Sequence, residues 1–198
     1  MKETDLNKIL ELIYKKHLER IKNAEVPNRK IAICFAGIPG SGKTHIAKIL
    51  EERYKGIRIE NDNLRIIIRK ICPKKTAEEK QGILQQYLKF FMENYNRKNN
   101  LLIFDRGIER AYQRFFPHLR QNKFKIFVIK IKISYEKIES NVKKKLRGKL
   151  DKNYTENIEK WKREFKEFET NYKSDITIEN ENNLNLEPLF RKLDKLIK

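Results

Sequence analysis

The sequence has little of what stabilises secreted or metal-dependent folds. Its 198 residues include two cysteines, Cys34 and Cys72, and neither has a metal-ligand spacing with any of the three histidines. No apolar run approaches the roughly 20 residues that cross a bilayer. The first residues lack the apolar segment of a signal peptide. These absences predict a cytoplasmic protein without a disulfide framework or a membrane span.

Acidic residues are scarce relative to basic ones. The chain has 46 Lys and Arg against 27 Asp and Glu, a formal net charge of +19. A basic surface favours a nucleic-acid or nucleotide partner, because phosphate groups are anionic. A general Lys, Ile and Asn bias of the source genome would give the same composition. With no repeat, low-complexity linker or domain boundary in the sequence, residues 1–198 are predicted to form a single domain.

Glycine is also scarce, with seven residues in all, yet three glycines fall within six positions. Residues 37–44 read Gly-Ile-Pro-Gly-Ser-Gly-Lys-Thr and follow the apolar run 31–36. This matches the phosphate-binding loop pattern G-x-x-x-x-G-K-[ST], or Walker A motif, in which backbone N–H groups converge on phosphate oxygens. The residues predicted to bind the triphosphate are Gly37, Pro39, Gly40, Ser41, Gly42, Lys43 and Thr44.

The same loop predicts ATP, or another nucleoside triphosphate, and Mg²⁺ as cofactors. Lys43 is expected to reach the β- and γ-phosphates and to be catalytic, and the Thr44 hydroxyl is expected to bind Mg²⁺. The following helix, predicted over 43–54, directs the positive end of its dipole at the same anion.

Strands alternate with helices along the chain, which is the pattern of a parallel sheet covered on both faces. The predicted strands are 31–36, 57–60, 101–104, 124–131 and 175–178. The predicted helices are an N-terminal one within 1–25, then 43–54, one that starts near 61, 76–96, one interrupted by Pro117, 155–172 and 186–197. The fold class is therefore α/β: a P-loop NTPase three-layer α/β/α sandwich with a mainly parallel five-stranded sheet and a basic helical lid.

Two polar residues follow the second predicted strand, at the edge where a parallel sheet places its active site. Asp62 comes just after this strand, and Arg65 lies three residues later on the same helical face. A kinase needs a carboxylate to orient and deprotonate the attacking hydroxyl, and an arginine suits a phosphate of the acceptor. The spacing alone equally allows a helix-capping Asp62 and a solvated Arg65.

Asp105 ends the third predicted strand, as a Walker-B carboxylate that supports Mg²⁺ through its water shell would. A strand-end aspartate that bonds a nearby backbone N–H is the alternative. Both Asp105 and the next residue, Arg106, are candidate substrate-binding residues. Pairing of Arg106 with a carboxylate fits the sequence equally well.

A basic stretch follows the fourth strand, and residues from about 137 to 155 are predicted to form a lid. Phosphoryl transfer gains from cations that close over the γ-phosphate. Arg147 is the candidate catalytic cation, with Lys145 and Lys149 behind it. A solvated basic face of a helix is the alternative.

Aromatic residues recur at helical spacing in several places. Trp161, Phe165 and Phe168 repeat at positions i, i+4 and i+7, and Phe115 and Phe116 are adjacent. This spacing is typical of core packing rather than of stacking on nucleic-acid bases.

The residues described above resemble the P-loop kinases related to polynucleotide 5′-kinase. That group shares its broader fold with nucleoside monophosphate kinases, zeta-type toxins and chloramphenicol phosphotransferase. The resemblance covers about residues 30–180 and rests on the loop at 37–44, on Asp62-Asn-Leu-Arg65, on Asp105 and on the basic lid.

The resemblance implies roles for three side chains. Asp62 would be the general base, Arg65 would clamp a phosphate of the acceptor, and Arg147 would bind the donor phosphates. Two features depart from that group. The sequence Asp105-Arg106-Gly107 is not usual after the third strand, and the helix within residues 1–25 has no counterpart.

Three functions fit the sequence. The first is an ATP- and Mg²⁺-dependent kinase that phosphorylates the 5′-hydroxyl of a polynucleotide or a nucleotide. The second is a kinase for a small molecule, such as a nucleoside monophosphate, an antibiotic or an activated sugar. The third is a non-kinase, NTP-dependent nucleic-acid-binding module, against which stands the absence of an Asn-Lys-x-Asp guanine motif.

Overall fold

A computed structural model describes residues 3–18, 30–94, 101–145, 152–181 and 183–197 of the chain. The strands are β1 (Ile31–Ala36), β2 (Ile57–Glu60), β3 (Leu101–Gly107), β4 (Lys125–Lys132) and β5 (Ile176–Glu179). The helices are α1 (Glu3–Leu18), α2 (Lys43–Tyr54), α3 (Asn61–Ile71), α4 (Ala77–Asn94), α5 (Tyr112–Gln121), α6 (Tyr135–Lys145), α7 (Lys152–Asn171) and α8 (Glu187–Ile197).

The five strands form one sheet in the order β2-β3-β1-β4-β5. All four strand pairings are parallel, so the sheet is wholly rather than mainly parallel. Strand β1 lies at its centre, and all six of its residues are buried. A strand covered on both faces needs apolar side chains on both, which explains the unbroken apolar run at this position.

Side chains that alternate along β1 point to two separate cores. Ile31, Ile33 and Phe35 pack with residues of α2 and α8 on one face of the sheet. Ala32 and Cys34 pack with residues of α1, α3, α4, α5 and α7 on the other. Helices therefore cover both faces, and the predicted three-layer α/β/α sandwich is confirmed.

The carboxyl ends of the strands differ from expectation mainly at β3. The sequence predicts an end at Phe104, whereas β3 continues to Gly107. Its register against β1 shifts between Cys34 and Phe35, so that Phe35 lies opposite Gly107. Such a bulge lets the strand continue while re-aiming its side chains.

Helix boundaries follow the local signals in the sequence. Helix α4 begins after a capping box in which the backbone N–H of Thr76 donates to Glu79 Oε2 over 2.8 Å, and the backbone N–H of Glu79 donates to Thr76 Oγ1 over 3.2 Å. Helix α1 buries Leu10 and Ile13 against this same layer, as its apolar spacing predicts. None of the helices in the described part of the chain is both long and apolar enough to cross a membrane.

Candidate active site

The loop between β1 and α2 has the backbone geometry of an anion cradle. Gly40 and Gly42 take φ values of 93° and 99°, in the left-handed region that favours glycine. Gly42 is the N-cap of α2, so the helix axis starts directly at the loop. The turn is closed by a hydrogen bond of 3.0 Å from the Ser41 N–H to the Ile38 carbonyl. These features fit the role predicted for residues 37–44.

Two asparagines hold this loop from elements far away in the sequence. Asn141 on α6 donates a hydrogen bond of 3.0 Å to the Gly40 carbonyl. Asn180, directly after β5, donates one of 2.8 Å to the Ser41 carbonyl, and its own N–H donates to the Lys132 carbonyl. Because both loop carbonyls are fixed in this way, the shape of the cradle is set before an anion enters.

The Lys43 ammonium lies among oxygen atoms of the loop. It donates to the carbonyl of Gly37, to the carbonyl of Ile38 over 3.0 Å and to Ser41 Oγ over 3.4 Å. Burial lowers the pKa of Lys43, and the negative charges of Glu109 and Asp105 oppose that shift. Phosphate oxygens can replace these acceptors without moving the lysine out of the loop.

Glu109 is a site residue that the sequence analysis missed. The strand β3 bulge and a hydrogen bond of 3.0 Å from the Ile108 N–H to the Phe35 carbonyl carry the chain back beside the loop. There the Gly37 N–H donates to Glu109 Oε1. Burial raises the pKa of the Glu109 carboxyl, while the positive charge of Lys43 acts in the opposite direction. Glu109 therefore places a carboxylate at the start of the phosphate loop.

Asp105 and Thr44 are brought together as the Walker A and Walker B motifs predict. The Thr44 hydroxyl donates to Asp105 Oδ1 over 2.9 Å, and Arg58 Nη1 donates to Asp105 Oδ2 over 2.9 Å. One hydroxyl and one carboxylate are hard oxygen ligands that suit Mg²⁺. They fit an ion held mainly by nucleotide phosphates and water, because the described residues hold no group of three or more His, Cys, Asp or Glu that could bind a metal by themselves.

The loop opens into a cavity of about 1040 Å³. Asp62 and Arg65 line it from α3, and their side chains form an ion pair of 3.1 Å. The Asp62 side chain is 79% exposed, so its carboxylate is available to a ligand. Gln81 and Gln85 line the cavity from α4, one helical turn apart, and were not foreseen. Arg106 also lines the cavity, from β3; its role in substrate binding stays a prediction.

Helices α6 and α7 also line the cavity, through Lys137, Asn141, Trp161 and Glu164. Arg147 and Lys149 lie outside the described residues, and the side chain of Lys145 is likewise not described, so the predicted lid cations stay a prediction. Trp161 was expected only to pack; it does pack against Tyr154, with ring centroids 5.6 Å apart, but it also lines the cavity.

The remaining aromatic residues behave as their helical spacing predicts. Phe115, Phe116 and Phe168 are buried in the core on one side of the sheet. Phe165 packs against that core from a half-buried position. The three buried rings therefore offer no face for base stacking.

The sequence places the chain in a known family. A family described as an AAA domain, AAA_33, matches residues 33–168, which include the phosphate loop, Asp62 and Asp105. The chain belongs to this family. No curated protein matches the chain.

Solved structures share the fold at low sequence identity. A chain from the PezAT chromosomal toxin–antitoxin system of Streptococcus pneumoniae superposes with a TM-score of 0.64 at 12% identity, over 91% of this chain and 78% of that one. The tunicamycin resistance protein of Deinococcus radiodurans gives 0.55 at 15% identity, over 85% and 96%. The APS kinase CysC of Mycobacterium tuberculosis, solved with AMPPNP and APS, gives 0.51 at 13%, over 86% and 98%. The fold is thus that of P-loop kinases; the narrower resemblance to polynucleotide 5′-kinase stays a prediction.

Proposed function

We propose that this protein is an ATP- and Mg²⁺-dependent kinase that transfers the γ-phosphate to a hydroxyl, most favourably the 5′-hydroxyl of a nucleotide or polynucleotide. The observation that carries the proposal is that a phosphate-binding loop and the exposed carboxylate of Asp62 line one cavity. A loop alone indicates only triphosphate binding. A carboxylate facing the same space supplies the group that a hydroxyl acceptor requires.

The donor half of the site is built from the loop and α2. Loop N–H groups, the Lys43 ammonium and the N-terminus of α2 would hold the triphosphate, with Thr44 and Asp105 at the Mg²⁺ position. When bound, Mg²⁺ would neutralise charge on the β- and γ-phosphates. Arg58 already offsets the charge of Asp105, which favours an Asp105 that reaches the ion through water.

The acceptor half is built from the first turn of α3. Asp62 would accept the proton of the attacking hydroxyl as its oxygen bonds to the γ-phosphorus and the bond to the β-phosphate oxygen breaks. Asn61 Oδ1 is buried and lacks a partner among the described residues, and its side chain lines the cavity. Asn61 Oδ1 is therefore free to receive a hydrogen bond from the substrate that is phosphorylated. Arg147 remains the proposed lid cation over the donor phosphates.

A small-molecule acceptor is the second candidate, and the shape of the cavity favours it. Gln81 on α4 and Trp161 on α7 line the same cavity, so two helices bound the space next to the loop. A single nucleotide or another compact substrate fits such a space. A polynucleotide would need an opening through which its second nucleotide leaves the cavity. The net charge of +19 favours the polynucleotide.

Phosphoryl transfer from labelled ATP tests the proposal. The wild-type protein would be incubated with Mg²⁺ and, separately, a 5′-hydroxyl oligonucleotide, nucleosides and nucleoside monophosphates. Asp62→Asn is expected to lower transfer by roughly 10²- to 10⁴-fold, while binding of a non-hydrolysable ATP analogue is retained. Glu52→Gln, an exposed carboxylate on α2 outside the cavity, is the matched control and should keep full activity.

The acceptor panel separates the candidates. Label on the oligonucleotide supports a polynucleotide kinase, and label confined to small molecules supports the second candidate. ATP hydrolysis that no acceptor changes, together with an active Asp62→Asn variant, would contradict both and favour a non-kinase NTPase.

A further inference from the structure

Arg106 has an unusual environment for a guanidinium group. Its side chain lines the cavity from the end of β3, and its Nε atom is buried without a hydrogen-bond partner among the described residues. Its guanidinium carbon lies 5.6 Å from the centroid of the Phe115 ring. A buried guanidinium usually has a carboxylate to pair with, because an unpaired buried charge is costly.

The groups around Arg106 act on its charge in both directions. Burial is the largest influence and lowers the pKa of Arg106, Cys34 raises it, and the positive charges of Arg65 and Arg114 lower it further. Glu109 acts in the opposite direction, but its carboxylate receives the Gly37 N–H beside Lys43. Within the described ranges, no carboxylate forms an ion pair with Arg106 or Arg114, and the partner of Arg65 is the proposed general base, Asp62.

These three arginines lie on three different elements and face one space. Arg65 is on α3, Arg106 on β3 and Arg114 in the first turn of α5, and all three line the cavity. Arg114 is exposed, so its side chain can move onto a ligand. Asp62 pairs with Arg65 only, so the three cations still repel each other, and an anion bound by them would reduce that repulsion.

We propose that Arg106 and Arg114, with Arg65, form a binding site for a phosphate group carried by the acceptor. This assignment rests on the proposed kinase function, and it extends the acceptor site to two residues to which the family resemblance assigns no role. A phosphate is favoured over a carboxylate as the ligand. It carries up to two negative charges and three acceptor oxygens, so it can accept hydrogen bonds from several guanidinium groups at once.

The chemical class of the acceptor follows. It has a hydroxyl that reaches Asp62 and a phosphate that reaches the arginines. Within the proposed function, that is a nucleoside 3′-monophosphate, or the 5′-hydroxyl end of an oligonucleotide with its first internucleotide phosphate. Gln81 and Gln85, which also line the cavity, would supply amide donors and acceptors for the remaining polar groups of the acceptor.

The first test measures thermal stabilisation by inorganic phosphate, with the loop occupied by a saturating non-hydrolysable ATP analogue. Chloride at equal ionic strength is the reference. Phosphate should raise the unfolding temperature of the wild type. In Arg106→Gln and Arg114→Gln its apparent affinity should fall about ten-fold or more. Arg69→Gln, an exposed arginine on α3 outside the cavity, should behave as wild type.

Folding is controlled within the same experiment. Without phosphate, Arg106→Gln should unfold no earlier than wild type, since it removes a half-buried cation that has no ion-pair partner among the described residues. Arg114→Gln alters an exposed side chain and keeps the test valid if Arg106→Gln is unstable. Equal phosphate affinity in wild type, Arg106→Gln and Arg114→Gln would overturn the proposal, and so would equal stabilisation by acetate.

The second test compares acceptors kinetically. A nucleoside 3′-monophosphate and a 5′-hydroxyl dinucleotide both carry a phosphate on the nucleoside that bears the acceptor hydroxyl. Both should have lower KM than the unphosphorylated nucleoside, and Arg114→Gln should remove that difference. Phosphorylation of the nucleoside and its monophosphate with equal KM would overturn the acceptor-phosphate site while leaving the kinase intact. Binding of the ATP analogue without transfer to any acceptor would instead refute the kinase function.

Discussion

Asn141 on α6 donates a hydrogen bond from Nδ2 to the carbonyl oxygen of Gly40, over 3.0 Å. The contact joins α6, which forms the first part of the predicted lid, to the middle of the phosphate loop. Ile138 and Val142 flank it on the same helix and lie against Gly40. A displacement of α6 would therefore directly change the position of Gly40 in the loop.

Loss of this hydrogen bond should weaken nucleotide binding. Asn141→Ala removes about 1 kcal/mol of preorganisation, which corresponds to a roughly five-fold higher Kd for ATP. Ser140→Ala, one residue earlier on α6 and outside the cavity, is the control. Calorimetric titration with a non-hydrolysable ATP analogue measures both variants. An unchanged Kd for Asn141→Ala would show that the loop keeps its shape without α6.

A side chain at Gly40 should destabilise the fold. The Cβ of Gly40→Ala would lie 2.9 Å from Val142 Cγ2, in a residue whose φ is 93°. Overpacking and the left-handed backbone together cost about 2 kcal/mol. The expected result is a lower midpoint of urea unfolding.

Gly82→Ala is the matched control for this experiment. Gly82 lies inside α4, and a Cβ there meets no atom within 4 Å. The substitution should stabilise the protein by about 0.5–1 kcal/mol, because alanine favours a helix over glycine. Equal effects of the two alanines would contradict the proposed role of backbone geometry at Gly40.

Replacement of Arg58 should lower the stability of the fold, because Asp105 would lose the positive charge with which it pairs. Arg58 forms ion pairs with Glu51, Glu60 and Asp105, and the Arg58 and Asp105 side chains are 10% and 6% exposed. Arg58→Met leaves a buried carboxylate unpaired, at a cost of about 3 kcal/mol in the free energy of unfolding. Denaturant titration measures the loss. Arg163→Met, at an exposed position of α7, should leave stability unchanged.

The capping box of α4 should make stability depend on pH. A hydrogen bond from Lys75, and next the backbone N–H of Thr76, lower the pKa of Glu79 to about 2. The folded-state pKa is thus below the usual value of 4.5, so the contribution is complete above that value. It is lost as the pH falls from about 4.5 to about 2.

Glu79→Gln tests this linkage. The variant should be less stable than wild type at pH 7, and the difference should shrink in that acidic window. Thermal unfolding at several pH values follows both proteins, with Glu78→Gln, the preceding exposed residue, as control. A difference that does not change with pH would mean that the charge of Glu79 does not contribute.

Local sequence signals predicted the parts of the fold that depend on neighbouring residues. The bounds of β1, α2 and β2 agree with expectation. An apolar run, a glycine-rich turn and a periodic helix can each be recognised from a few neighbouring residues. Thr44 and Asp105 were foreseen because strand ends of a parallel sheet meet at one edge.

The missed residues reach the site through contacts that no short pattern records. Glu109 is 72 positions from Gly37, Asn141 is 101 from Gly40, and Asn180 is 139 from Ser41. Glu109 depends further on a bulge in β3 that the apolar pattern does not encode. Arg114 could have been suspected from the sequence, because it follows the unusual Asp-Arg-Gly sequence by only a few residues. Its charge alone, however, does not reveal that its face of α5 is turned toward the cavity.

The bond from Asn180 to the Ser41 carbonyl has a consequence for how the protein is made. The glycine-rich loop leaves the ribosome early, whereas the residue that fixes its second carbonyl is synthesised 139 positions later. A nascent chain that already contains β1, β3 and β4 therefore still holds an incompletely supported loop. High-affinity capture of nucleotide should arise late in translation, once β5 has joined the edge of the sheet.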